Sequence, residues 1–177
     1  MTTDLTSRLT LIAPPEAEVL TLSEAKQFLR IEHDVDDALI AAAITAARVS
    51  AEEYLRVLVL PQTYSYEFTQ IAHILPLPVG PAQEIAQISA YDANGNDTEI
   101  TSESYRLTID GYGIVFPNVP SGESFAVEFT AGLTQVPAPL KQGMLHHIAA
   151  MLEQRDGHVG LPEISRQLYQ PYRRVRL

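Results

Sequence analysis

His146 and His147 stand side by side in "MLHHIAAMLEQRDGH", with Glu153 and His158 following, and no other group in the chain has the residue types to hold a metal and activate a water. A catalytic zinc pair on a helix needs two ligands one turn apart on one face, as in H-E-x-x-H. Adjacent histidines diverge by about 100 degrees on a helix, so one is expected at the core boundary and the other toward solvent. A metal-dependent hydrolase using the His146/His147 region is therefore only the alternative reading, and no metal ligand is assigned. Asp34, Asp36 and Asp37 in "HDVDDALI" also look like a cluster. A calcium loop needs a glycine turn and further ligands that this run lacks, whereas carboxylates favour the positive end of a helix dipole, so the acids read as a helix start. The chain has no cysteine, no G-x-S-x-G elbow, no glycine-rich phosphate loop and no nucleotide fingerprint. Glu52 and Glu53 are neighbours on an exposed helix face and are not assigned as an acid and base pair. No catalytic residue and no cofactor are assigned, and the chain is read as a non-enzyme.

The elements that would carry these residues are legible from period and punctuation. Pro14 and Pro15 and the weak periodicity of residues 1–20 suggest an extended or loosely ordered N-terminal arm. Thr21-x-x-Glu24 is a capping box, in which hydroxyl and carboxylate each serve a free backbone N–H, so a helix should begin at Thr21. Asp34 should open a second helix, with Ile40, Ile44, Ala47, Ala51, Tyr54 and Leu58 on its buried side. The alanines of "LIAAAITAA" make this stripe thin and allow another helix, from the same chain or a neighbouring subunit, to come close. From Pro61 the period becomes alternating: Tyr64, Tyr66 and Phe68, then Ile85 to Tyr91, then Phe125, Val127 and Phe129. "DANGND" and Asp110-Gly111-Tyr112-Gly113 should close hairpins. Helical spacing returns after Pro137 and Pro139, with Leu140, Met144, Ile148, Met151 and Leu152 inward; Gly143 inside this helix suggests a close backbone crossing. A short helix from Pro162 to Leu168 precedes "YQPYRRVRL".

The expected fold is thus α+β in one domain. A helical scaffold of about four helices (21–60 and 137–168) carries an inserted antiparallel β unit of about six short strands (61–136), between an arm at 1–20 and a tail at 169–177. At 177 residues and 46% apolar content the chain can bury one good core. No apolar run approaches the ~20 residues of a membrane span, and a polar start with Asp4 lacks the features of a secretory signal, so a cytosolic origin is expected. The net charge of −10 is uneven: residues 1–132 hold 19 acidic and 6 basic side chains, residues 133–177 hold 3 and 6. An acidic body argues against a duplex-binding protein, which needs a clustered basic face. Arg173, Arg174 and Arg176 crowd the basic end.

Three stretches, "LTLSEAKQFLRIEHDVDDALIAAAITAARVSAEEYLRVLVLPQTY", "FTAGLTQVPAPLKQGMLHHIAAMLEQRD" and "PYRRVRL", resemble in order and content the head-tail connector (adaptor) family of long-tailed bacteriophages and gene transfer agents. The resemblance implies a structural virion protein, twelve copies of which form a ring under the portal and continue the DNA channel toward the tail. The implied partners are the portal protein, neighbouring copies, a stopper or tail-completion protein, and DNA passing without sequence-specific binding; no cofactor, no turnover and no membrane are implied. It places the protein in the virion at the head-tail interface, and in the host cytoplasm during assembly. Tyr169, Pro171, Tyr172, Arg173, Arg174, Arg176 and Leu177 match the family's terminal segment and would bind the portal. Their two tyrosines and three arginines are types enriched at interface hot spots. With the core positions already filled by the preceding helices, the tail is expected to bind extended and to become ordered only on insertion into the portal. A generic small-oligomer binding module remains the other alternative, disfavoured by the acidic body and the lack of a recognition helix.

Overall fold

The computed structural model describes residues 7–153 and 160–175. The elements run β1 (Arg8–Ala13), α1 (Leu22–Leu29), α2 (Asp37–Leu55), β2 (Gln62–Phe68), β3 (Ile74–Pro76), β4 (Ala82–Tyr91), β5 (Asp97–Glu99), β6 (Arg106–Leu107), β7 (Gly113–Val115), β8 (Ser124–Ala131), α3 (Ala138–Glu153) and α4 (Glu163–Tyr169). The fold is α+β, with four helices and eight antiparallel strands in two sheets among the described residues. It divides into two compact units: a β unit of the chain before Glu16 together with Pro61–Gly132, and a helical unit of Glu16–Leu60 together with Leu133–Leu177.

In the β unit a five-stranded sheet has the order β1-β2-β8-β4-β5 and a three-stranded sheet the order β3-β7-β6. Strict alternation in β8 turns Phe125, Val127, Phe129 and Ala131 inward. Phe125 and Phe129 stack on Phe68 and Tyr64, their cross-strand partners on β2. Both expected hairpins are present. Asp92 accepts from the backbone N–H of Asn94 and Asn96 while Gly95 takes φ 83°, and Ser89–Tyr91 pairs with Asp97–Glu99. Gly111, at φ 71°, turns β6 back onto β7. The arm is extended, as expected, but Arg8–Ala13 is also a paired edge strand, in register with β2 from Arg8↔Glu67 onward.

In the helical unit the capping box forms: Glu24 N–H donates to Thr21 Oγ1 at 3.1 Å and Thr21 N–H to Glu24 Oε2 at 2.7 Å. α2 starts at Asp37, three residues later than expected. The physical reason is Lys26, whose Nζ lies 2.7 Å from both Asp34 and Asp37 and holds Asp34 in the turn before the helix. Ile40, Ala43, Ile44, Ala47, Ala51 and Leu55 join Leu140, Met144 and Ile148 of α3 in one core. α3 begins behind Pro137, whose carbonyl accepts from Leu140 N–H, so Pro139 sits in the first turn where its missing N–H has no helical acceptor. Gly143 marks the close crossing its position suggested. A methyl group there would overlap the Tyr169 ring, and Ser165 Oγ donates to the Gly143 carbonyl at 2.8 Å.

Candidate functional site

The C-terminal end of α2 gathers several segments of the helical unit. A helix end leaves four carbonyls without intrahelical donors. Arg56 turns left-handed at φ 56° and donates its N–H to Glu52 O at 2.8 Å. Two further carbonyls are taken by the tail: Arg173 Nε donates to Tyr54 O at 3.2 Å and Arg174 N–H to Leu55 O at 2.9 Å. The Arg173 guanidinium also lies 5.1 Å from the centre of the Tyr54 ring, and a cation at a helix C-terminus is favourable in itself. Leu58 O receives Leu133 N–H at 3.1 Å and Glu52 Oε1 receives Val59 N–H at 2.9 Å. Arg48, buried on the inner side of α2, donates to Glu52 Oε2 at 2.9 Å and to Glu18 Oε2 at 2.8 Å. The second half of α2 and the turn after it thus fix Glu18, Val59, Leu133 and the tail.

The tail departs from the picture of a segment with nothing to bury. Tyr169 is the last residue of α4 and is fully buried, its ring over Gly143 and 6.2 Å from Tyr54. Its hydroxyl has no hydrogen-bond partner among the described residues, and burial pushes its pKa up. Nor does Pro171 leave the chain extended, because Gln170–Tyr172 form a 3-10 turn in which proline sits at the start and needs no N–H. Tyr172 at 38%, Arg173 and Val175 are exposed. Arg176 and Leu177 lie outside the described residues. Of the seven tail residues, the structure brings Arg173 and Arg174 to the end of α2, leaves Tyr172 exposed just before them and puts Tyr169 in the core. It adds Arg56, exposed beside Leu55, which the sequence reading missed. The hint was in "EYLR": a helix that closes left-handed with no glycine at hand does so on another residue, as α1 also does on Arg30. The resulting surface carries guanidinium groups on a fixed backbone beside an aromatic ring, suited to carboxylates of a partner.

The histidines do not converge. His147 is buried at 2%, while His146 is half-buried, edge-on to Phe28 with Nε2 3.2 Å from Gln142 Nε2. Glu153 is exposed, and His158 lies outside the described residues. No group of three or more His, Asp or Glu able to hold a metal occurs among the described residues.

Residues 19–110, just over half of the chain, match the family described as "Phage gp6-like head-tail connector protein". The chain belongs to this family. The match runs from the start of the helical unit through α1, α2 and the strands to β6, so α3, α4 and the tail of this connector lie beyond it. A search of curated proteins returned no match. Among solved structures, the connector is similar to a chain in the neck of an empty gene transfer agent (GTA) particle computed with C6 symmetry, with a TM-score of 0.80 at 22% identity, covering 96% of this chain and 97% of that one. A chain in the virion of a native gene transfer agent particle gives a TM-score of 0.78 at 22% identity, with 96% of each chain covered. One in the neck of a native GTA particle computed with C12 symmetry gives 0.69 at 21%, with 96% and 97% covered. At these identities the likeness establishes the fold, and at 96% coverage it takes in α3 and α4, which the family match leaves out.

Proposed function

We propose that this connector is a structural adaptor at the head-tail interface of a phage-type particle, forming a twelve-fold ring under the portal that continues the DNA channel toward a stopper or tail-completion protein. The observation that carries the proposal is family membership over residues 19–110, and the whole-chain likeness to neck and virion chains supports the location and the symmetric arrangement. The role needs no turnover. The surface at the end of α2, with Arg56, Arg173 and Arg174 and the exposed Tyr172 next to them in the chain, docks on carboxylates of the portal, and Arg176 and Leu177 extend the contact. The β unit, with 10 acidic and 2 basic side chains, suits a channel wall that lets phosphate slide.

Electron microscopy of the purified chain mixed with its portal tests this reading directly, with rings on the portal vertex as the expected result. The Arg173→Glu/Arg174→Glu variant should stay folded and lose portal attachment. If it docks and yields tailed particles at the normal rate, the end of α2 is not the anchor. Without portal the chain should be monomeric at micromolar concentration by light scattering, and a stable twelve-subunit mass would remove the template from the proposal.

A further inference from the structure

The side of α2 that faces away from the core is apolar too. Between Asp37 and Glu52 the helix holds one charged residue, Arg48, and that one is buried. Leu39, Ala42, Ala46 and Val49 follow at steps of three, four and three, which places them on one helix face. All four are exposed, Leu39 at 55% and Val49 at 42%, and Val35 just before the helix stands at 87%. From Leu39 to Val49, about three turns or ~15 Å, this stripe offers solvent no charge, in a chain where 19% of residues are charged. An amphipathic helix normally turns charge outward.

We propose that this outward face of α2 is the contact between neighbouring copies of this chain. Charge selects the occupant. Each copy carries a net charge of −10, so two copies repel over most of their surfaces, and a strip without charge is where they touch without bringing like charges together. A basic partner would be drawn to the acidic surface instead. Beside the strip, Glu18 is already taken up by Arg48 and by the Thr45 hydroxyl at 2.9 Å, while Asp36 and the exposed Glu53 bound the strip at its two ends. Ala42 and Ala46 in the middle admit a close backbone approach. A strip about 15 Å long and about 10 Å wide gives on the order of 150 Å², against ~800 Å² per partner in a stable interface. The contact is therefore weak alone and holds copies that are already gathered. Its role in a ring rests on the connector reading above, but its chemistry does not.

Sedimentation equilibrium of the purified chain from micromolar to millimolar concentration is the test. The average mass should rise above 19.5 kDa at the top of the range, and the exposed substitution Ala46→Glu should abolish the rise without changing the thermal midpoint. Ala46→Cys introduces the only thiol in the chain. Labelled with benzophenone maleimide and photolysed in the concentrated sample, it should give a covalent product of twice the chain mass. A mass that stays flat to millimolar concentration, an Ala46→Glu chain that associates like the wild type, or photolysis without that product overturns the proposal. Because portal is absent, those failures leave the connector reading standing. Absence of the chain from the head-tail joint of particles would remove that reading instead.

Discussion

Truncation and point substitution at the C-terminal end should separate a core residue from a docking residue. Tyr169→Ala removes a fully buried ring lying on Gly143 and near Tyr54. Aromatic-to-alanine changes in cores cost ~3–5 kcal/mol. Part of that returns, because the substitution also removes a buried hydroxyl without a partner, a liability of ~1–3 kcal/mol. Taking the middle of each range, the expected net loss is about 2 kcal/mol. Ending the chain after Tyr172 instead removes the Arg173 and Arg174 hydrogen bonds to the end of α2, at ~1 kcal/mol each, and a surface cation–π contact of ~0.5–1 kcal/mol. Water reaches carbonyls at a surface helix end, so about 1–2 kcal/mol in all is expected. Equilibrium urea unfolding followed by far-UV circular dichroism measures both. The short truncation should lose portal attachment with most of its stability intact, whereas Tyr169→Ala should lose stability first. A Tyr169→Ala cost below ~1 kcal/mol would refute the placement of this ring in the core.

Tyr169→Phe should be neutral or stabilising at neutral pH, since only an unpartnered hydroxyl goes. The buried phenol keeps its proton above the usual tyrosine value of about 10, so its contribution is complete below pH 10 and is lost above it, at up to ~1.4 kcal/mol per pH unit. Urea midpoints measured from neutral to strongly alkaline pH should fall more steeply for the wild type than for Tyr169→Phe, and parallel curves would contradict this. Gly143→Ala gains ~1 kcal/mol of helix propensity but forces a methyl into the Tyr169 ring, an overpacking cost of ~1–3 kcal/mol, so a net loss is expected. That loss should vanish in the Tyr169→Ala background, and additivity of the two changes would count against the contact. Arg48→Met leaves Glu18 and Glu52 without their guanidinium and should cost ~3 kcal/mol. Adding Glu52→Gln, which keeps an acceptor for Val59 N–H, should restore part of it; no recovery would show that the charge is not what Arg48 compensates.

What could be read ahead of the structure was local. The Thr21 and Glu24 capping box, the proline entry to α3, the alternation of β8 and both hairpin turns each depend on residues within a few positions, where sequence spacing and physical contact coincide. Gly143 also announced a crossing, because a helical glycine in a core needs a reason. The ring that provides the reason lies 26 positions further on, behind a 3-10 turn, and nothing in "LYQPYRR" separates a core tyrosine from a surface one. β1 was hidden for the same cause: Leu9 and Leu11 lack a clean alternation, and their partners Tyr66 and Tyr64 stand more than fifty residues away. The late start of α2 depended on Lys26 reaching across from α1. Arg56 escaped notice because a left-handed arginine is an uncommon way to end a helix.

The helical unit is discontinuous, and this sets an order of events during synthesis. All the strands of the β unit, and the segments that pair them, precede Leu133, whereas the core of the helical unit stays incomplete until α3, α4 and Tyr169 exist. At ~5–20 residues per second, the forty residues from Leu133 to Tyr172 take ~2–8 s to add. Through that interval α1 and α2 are made but lack their partners, with Ile40, Ile44 and Leu55 uncovered while the strands are free to pair. The basic segment and Tyr169, the last side chain of the helical core, are therefore made within a few residues of each other, so that core cannot close before the segment beside the end of α2 is being added.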